Sequence, residues 1–350
     1  MDSKIKNTLK LASINVFFFF IFFLVFELIF GYWFDKYNFG PYMREHRLKK
    51  IPYQMAYDGK KYNYTYLRNS YAFRGKEIDP QEIEIIMVGG STTDERYKPE
   101  ELSIVEILNS KLIKAGSTKK IINAGVEGQS TFGHIHNFKY WFSRIENFRP
   151  DHIIFYIGVN DTRSLTDGYL QDGMIEDPNK FDSFLDNVKS RSFFADLIRK
   201  IKHKYYNKNE KKRIIYDYDY SMEENKKKYF YLNFKEKQKI YDLDEVIKKN
   251  KFMVEKYLNN VDVLYELTKS MMAEPIFINQ VMQQDEFADV LFAINRSLIN
   301  HCIKREYKCI DLAKELKAAD DFWWDGVHTT PKGSEAIANQ IFPELINFIN

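Results

Sequence analysis

The chain has 350 residues, 45% of them hydrophobic and 29% charged, enough for one large globular domain or two small ones. Its formal net charge of +3 is nearly balanced, which excludes whole-chain electrostatics as a basis for binding nucleic acid or an acidic partner. Two cysteines, Cys302 and Cys309, are too few for a disulfide framework and read as ordinary buried thiols, with one bridge as the alternative in an exported domain.

Behind an N-terminal tail (residues 1–10), residues 11–34 read LASINVFFFFIFFLVFELIFGYWF. A bilayer core needs about 20 apolar residues, and 16–26 contains no polar one, so the segment predicts a transmembrane helix. No small-x-small cleavage site accompanies it, which favours an uncleaved signal anchor over a signal peptide. Glu27 lies near the far end, within reach of the interface, and Tyr32 and Trp33 suit an aromatic belt. Lys4, Lys6 and Lys10 precede the helix while Lys36, Arg44, Arg47, Lys49 and Lys50 follow it, so charge alone does not orient it.

Residues 35–80 read as a juxtamembrane lead-in, and residues 81–350 as one domain in which apolar runs alternate with helix-period segments. Strands are expected at 84–88, 120–123, 152–157, 275–279 and 308–312, and helices at 102–115, 131–148 and 286–304. This alternation predicts an α/β fold in three layers, a parallel sheet with helices on both faces. Ligands then gather at the carboxyl ends of the strands, where Ser91, residues 125–128, Asn160 and the segment after Leu312 all fall.

Residues 164–246 break the alternation and read as an insertion. It carries a helix near 193–206, a basic run RKIKHKYYNKNEKKR at 199–213, the patch IIYDYDY, and Lys226, Lys227 and Lys228. Interleaved Lys and Tyr can contact phosphates and bases, but Asp217, Asp219, Glu223 and Glu224 neutralise much of the charge, so a solvated face is the reading and no nucleic acid is expected. A lid, or contact with anionic glycan or lipid headgroups, stays open.

Four islands carry chemistry. IEIIMVGGST is a strand running into two glycines and Ser91, the geometry of a hydroxyl presented at a helix start; Thr93 departs from the Gly-x-Ser-x-Gly elbow. In FWWDGVHTTP, Asp325 stands three residues before His328, close enough to hold its tautomer and favour the imidazolium formed when Ser91 loses its proton. Asn160 follows the strand HIIFYI and offers an amide donor, and Gly128 in NAGVEGQST offers a backbone N–H. With the N–H of Ser91 they supply donors for an oxyanion. Each island alone has a plainer reading, respectively a turn, a capping aspartate beside a surface histidine, a turn asparagine and a loop glycine.

Order and spacing together resemble the SGNH (GDSL-type) hydrolase superfamily, through GGST with Ser91, NAGVEGQS with Gly128, IGVND with Asn160, and DGVH with Asp325 and His328. The resemblance covers residues 83–161 and 275–349 and extends to NSYAFRGKEI at 69–78, similar to the lead-in of membrane-anchored members. It implies an SGNH, flavodoxin-like fold with one N-terminal transmembrane helix, and a catalytic domain outside the membrane, periplasmic or extracellular. It further implies a serine esterase working through an acyl-enzyme, with Ser91, Asp325 and His328 catalytic, and Ser91, Gly128 and Asn160 forming the oxyanion hole. The substrate class it implies is an ester, in particular O-acetyl groups of a cell-envelope glycan. An O-acyltransferase served by a membrane partner that delivers the acyl donor, and a non-catalytic glycan-binding scaffold, are the alternatives. The family's Gly-Asp-Ser aspartate is Gly90 here, and Gly125 competes with Gly128 for the oxyanion role. No cofactor is expected, and no metal, because His134 and His136 sit two apart on a helix and face apart. Trp323 and Trp324 read either as a sugar-stacking wall or as core, and Asp94 and Glu95 as charges complementing a helix dipole.

Overall fold

The computed structural model describes residues 3–36, 38–164, 180–206, 215–284 and 286–350, which fall into two units. The first holds the helices Ser3–Phe30, Lys180–Arg191 and Phe193–Tyr206. The 22-residue stretch Leu9–Phe30 is long and apolar enough to cross a membrane. This helix stops at Phe30, where residues 31–34 bend.

Glu27 has a second task there. Its carboxylate accepts the N–H of Phe193 at 2.7 Å and of Phe194 at 3.3 Å, satisfying donors that the start of the helix Phe193–Tyr206 would otherwise leave unpaired. The Trp33 indole donates to the same carboxylate at 3.2 Å, and Phe23 stacks on Phe194 with centroids 4.0 Å apart. Tyr32 donates its N–H to Arg191 O at 2.7 Å and its hydroxyl to Asp196 at 3.1 Å. The helix expected at 193–206 is therefore present; residues 165–179 of the insertion, and 207–213 of its basic run, lie outside the described residues.

The second unit holds the described strands, in chain order β1 (Lys50–Tyr57), β2 (Lys60–Leu67), β3 (Ile85–Gly89), β4 (Ile121–Asn123), β5 (His152–Ile157), β6 (Ile215–Asp217), β7 (Glu274–Asn279) and β8 (Lys308–Ile310). The principal sheet is parallel throughout, in the order β4-β3-β5-β7-β8. One face presents Ile85, Met87, Ile154, Tyr156, Ile276 and Ile278 to the helices Ile104–Lys114 and Pro331–Ile349. The alternate residues turn to the other face, where Phe155 meets Phe138 of the helix Thr131–Tyr140 and, at 5.1 Å, Phe277. Burial on both faces is why these strands read as unbroken apolar runs.

Three features depart from expectation. Helix Thr131–Tyr140 ends early because the chain turns at buried Trp141, whose indole donates to Tyr71 O at 2.6 Å. Residues 50–67, read as part of a lead-in, form an antiparallel hairpin across Asp58 and Gly59, both at positive φ (52° and 66°), and β6 joins β1 to make a second, three-stranded sheet. Cys302 and Cys309 are not separate thiols but disulfide-bonded, with Cα atoms 6.3 Å apart. Glu306, at φ 58°, ends the helix Ala288–Arg305 and reverses the chain into β8, which brings the two cysteines face to face.

Candidate active site

From β3 the chain crosses to β4 on one side and to β5 on the other, and this switch point opens a crevice at the carboxyl edge of the sheet. Three loops fan out there. Gly90 and Ser91 follow β3, residues 124–129 follow β4, and Gly158 to Asn160 follow β5. Asp325 and His328 arrive from beyond β8 on the loop before the helix Pro331–Ile349.

Ser91, His328 and Asp325 form one hydrogen-bonded line. His328 Nδ1 lies 2.7 Å from Asp325 Oδ2, and Nε2 lies 2.8 Å from Ser91 Oγ. With Nδ1–H donating to the carboxylate, Nε2 is left to accept the serine hydroxyl. The other carboxylate oxygen accepts the N–H of Val327 at 2.8 Å and of His328 at 2.6 Å, so the loop folds around its own aspartate. Burial pushes the Asp325 carboxyl up, but these hydrogen bonds outweigh it and hold the group below its ordinary value. The imidazole is flanked by Trp324, stacked at 5.6 Å, and Tyr97, edge-on at 5.0 Å, which fixes the ring plane.

Asn160 donates from Nδ2 to Gln129 O at 2.8 Å, and a Cβ added at Gly90 would lie 2.3 Å from that same nitrogen. The absence of a side chain at Gly90 therefore lets the Asn160 amide lie beside the serine turn, and the aspartate usual at this position in the resembling family has no room here. Gly128 is exposed at φ 78°, with nothing near a Cβ position. Gly125 is buried and donates its N–H to Asn123 Oδ1 at 2.9 Å, which commits that donor to the fold.

Asp94 lies in the short helix Ser91–Asp94 and Glu95 at its C-terminal end, and both are tied into buried networks. Asp94 accepts from the Tyr66 hydroxyl at 2.8 Å and pairs with Arg68 at 3.3 Å, all three buried. Arg74 donates to Lys98 O at 2.9 Å and to Asp94 O. Glu95 pairs with Lys98 at 2.8 Å, and the same ammonium donates to Thr329 O at 2.5 Å and Ser334 Oγ at 2.6 Å. Burial lowers the Lys98 ammonium against the pull of Glu95. Gln280, at the end of β7, donates to Thr92 Oγ1 at 2.8 Å and Tyr156 O at 3.0 Å and accepts from Val159 N at 2.7 Å, tying the serine turn to the Asn160 turn.

Sequence reasoning missed these supports. A partly legible signal lay in Asp58-Gly59 between strands of alternating tyrosines, which marks the hairpin that delivers Tyr66 and Arg68. Nothing local marks Gln280, and for Lys98 only Glu95 is near in sequence, its other partners Thr329 and Ser334 being remote.

Trp323 is core, buried and stacked on Tyr231 at 5.0 Å. Trp324 is half-buried and joins Tyr97, Tyr216 and Tyr218 in an aromatic group beside His328. Residues 215–218 of the insertion thus wall the site. His134 is buried and its pKa is pushed down to about 3, whereas His136 stacks on Tyr140 at 5.4 Å.

A family model described as GDSL-like Lipase/Acylhydrolase matches residues 85–341. No curated protein matches the chain. Among solved structures, the esterase EstA from Pseudoalteromonas sp. is 12% identical with a TM-score of 0.43, covering 76% of this chain and 99% of its own. Axe2, an acetylxylan esterase from Geobacillus stearothermophilus, is 12% identical with a TM-score of 0.42, covering 75% and 93%. A lipolytic protein of the G-D-S-L family from Veillonella parvula is 16% identical with a TM-score of 0.40, covering 74% and 96%.

Proposed function

This chain belongs to the GDSL-like lipase/acylhydrolase family, and on that premise we propose that it cleaves O-acetyl esters of a cell-envelope glycan through an acyl-enzyme on Ser91. The observation that carries the reading is the line Ser91 Oγ, His328 Nε2, His328 Nδ1, Asp325 Oδ2, with spacings of 2.8 and 2.7 Å. Ser91 Oγ attacks the ester carbonyl as His328 takes its proton, and Asp325 stabilises the imidazolium. The Ser91 N–H, the Gly128 N–H and the Asn160 amide receive the negative oxygen, each well-aimed donor contributing about 3 kcal/mol. His328 then protonates the departing sugar oxygen. A water, deprotonated by the same imidazole, releases acetate and restores the serine.

Support for a sugar leaving group comes from Trp324 and Tyr216, half-buried rings beside His328 that present apolar faces with polar edges. The anchor is read as retained, because Glu27 supplies the cap of the helix Phe193–Tyr206. The Cys302–Cys309 bridge supports an oxidising compartment, and so a catalytic unit outside the membrane.

The test incubates the full chain in detergent with p-nitrophenyl acetate and with an acetylated glycan, with and without sugar acceptors, beside Ser91→Ala. Acetate release abolished by the substitution is expected. Release that survives it would refute the Ser91 mechanism, and acetyl transfer to added sugar would make the protein an acyltransferase. Protease digestion of intact cells reports the side of the membrane.

A further inference from the structure

The helix Phe193–Tyr206 has a use that the ester chemistry does not explain. Over residues 193–202, at about 100° per residue, Phe193, Leu197, Ile201, Phe194 and Ile198 fall within an arc of about 140°, while Asp196, Arg199, Lys200 and Lys202 occupy the rest; the position of Lys204, in the last turn, returns to the apolar side. Part of the apolar arc is spent on the anchor, where Phe193 and Phe194 meet Phe23, Phe26 and Phe30. The remainder is bare. Leu197, Ile198 and Ile201 are 40%, 55% and 59% exposed.

What covers that face follows from where the helix starts. Its first N–H groups are bound by Glu27, near the end of the Leu9–Phe30 apolar stretch, and Asp196 is held by the Tyr32 hydroxyl just beyond that end. The junction is polar and defined, and it fixes the start of the helix at the depth where a membrane-spanning segment leaves the hydrocarbon. We propose that the helix Phe193–Tyr206 lies in the membrane interface, with Leu197, Ile198 and Ile201 in the acyl boundary and Arg199, Lys200 and Lys202 on anionic headgroups. A segregated apolar arc bordered by cations is the pattern of such interfacial helices, which bury their apolar side about 5–10 Å below the headgroups. Electrostatic attraction to anionic lipid adds to the binding and fades within a Debye length. The bilayer thus completes a surface that the protein leaves open, and Glu27 serves as the fastening between the anchor and this second membrane element.

The proposal rests on the retained anchor, which intact mass checks independently. Full-length protein carrying Ile198→Cys, Ile201→Cys or, as the polar-face control, Lys202→Cys is spin-labelled with the Cys302–Cys309 bridge intact. It is reconstituted into nanodiscs of phosphatidylcholine with phosphatidylglycerol. For labels at 198 and 201, the ratio of oxygen to nickel-complex accessibility should exceed that at 202 several-fold, as expected for side chains below the headgroups. It should fall when phosphatidylglycerol is replaced by phosphatidylcholine. Equal ratios at the three positions, or no response to lipid charge, overturn the proposal. So does loss of access to both probes, which would mean cover by protein. Spin–spin broadening that dilution with unlabelled protein removes would assign the face to a second copy. A chain shortened at its N-terminus would instead fail the anchor reading.

Discussion

Lys98 Nζ lies 2.8 Å from Glu95 Oε1, and neither side chain meets solvent. The pair fastens the serine island to the histidine island, since Glu95 follows the short helix that begins at Ser91, and Lys98 also binds Thr329, the neighbour of His328. Removing one partner leaves the other charge buried, a loss of about 3–5 kcal/mol. Lys98→Met should therefore lower the guanidinium unfolding midpoint of the full chain in detergent, and Lys98→Met with Glu95→Gln should recover much of the loss. An unchanged midpoint in the single variant would show that the pair holds nothing together.

The contact between Gly90 and Asn160 predicts a non-additive pair. Asn160→Ala should cost on the order of 10²–10³ in kcat on p-nitrophenyl acetate, as loss of an oxyanion donor does. Gly90→Ala places a Cβ where the Asn160 amide nitrogen stands, so it should also reduce kcat, by about a hundredfold if it displaces that donor. In an Asn160→Ala background Gly90→Ala should add little, and independent losses would separate the two residues.

Asp325 is lowered on folding, so the stability it contributes is present above its unfolded value and disappears as pH falls through the lower folded one. The difference in unfolding midpoint between the protein and Asp325→Asn should stay constant from about pH 7 to 5 and close below about pH 4. Activity of that variant should fall on the order of 10³–10⁴-fold at every pH, because the amide turns the imidazole to the wrong tautomer. Near-normal turnover would remove Asp325 from the mechanism.

His134 is kept neutral by burial, its pKa lowered to about 3 from 6.5. Between those values the unfolded chain binds the proton and the folded one does not, so stability falls as pH drops below 6.5, by about 1.4 kcal/mol per unit for one group. His134→Leu should flatten the stability profile over that range by this slope. A profile as steep as before would locate the acid sensitivity elsewhere.

The parallel sheet was legible because both of its faces are buried and leave apolar runs such as HIIFYI in the sequence. The placement of Ser91 and Asn160 at the carboxyl edge of the sheet was legible because each follows an apolar strand directly, and the closeness of Asp325 to His328 because three residues separate them. The supporting charges were not, since a lysine before PEELS or an arginine before NSYAF carries no local sign of the distant groups it also binds, Thr329 and Ser334 for Lys98 and Asp94 for Arg68. Helix Lys251–Ser270 did leave a trace, with Met253, Val254, Tyr257, Val261, Leu264 and Thr268 buried at helical spacing. The hairpin was obscured for a different reason, in that several of its tyrosines pack against residues distant in sequence, among them Tyr97, Tyr216 and Tyr218.

Both outer strands of the principal sheet, Ile121–Asn123 and Lys308–Ile310, are three residues long, and the second is tethered through Cys309 to the preceding helix. Such edges offer few unpaired backbone groups on which another chain can continue the ladder. A domain that meets other copies of itself at high local concentration is thereby guarded against sheet-to-sheet polymerisation.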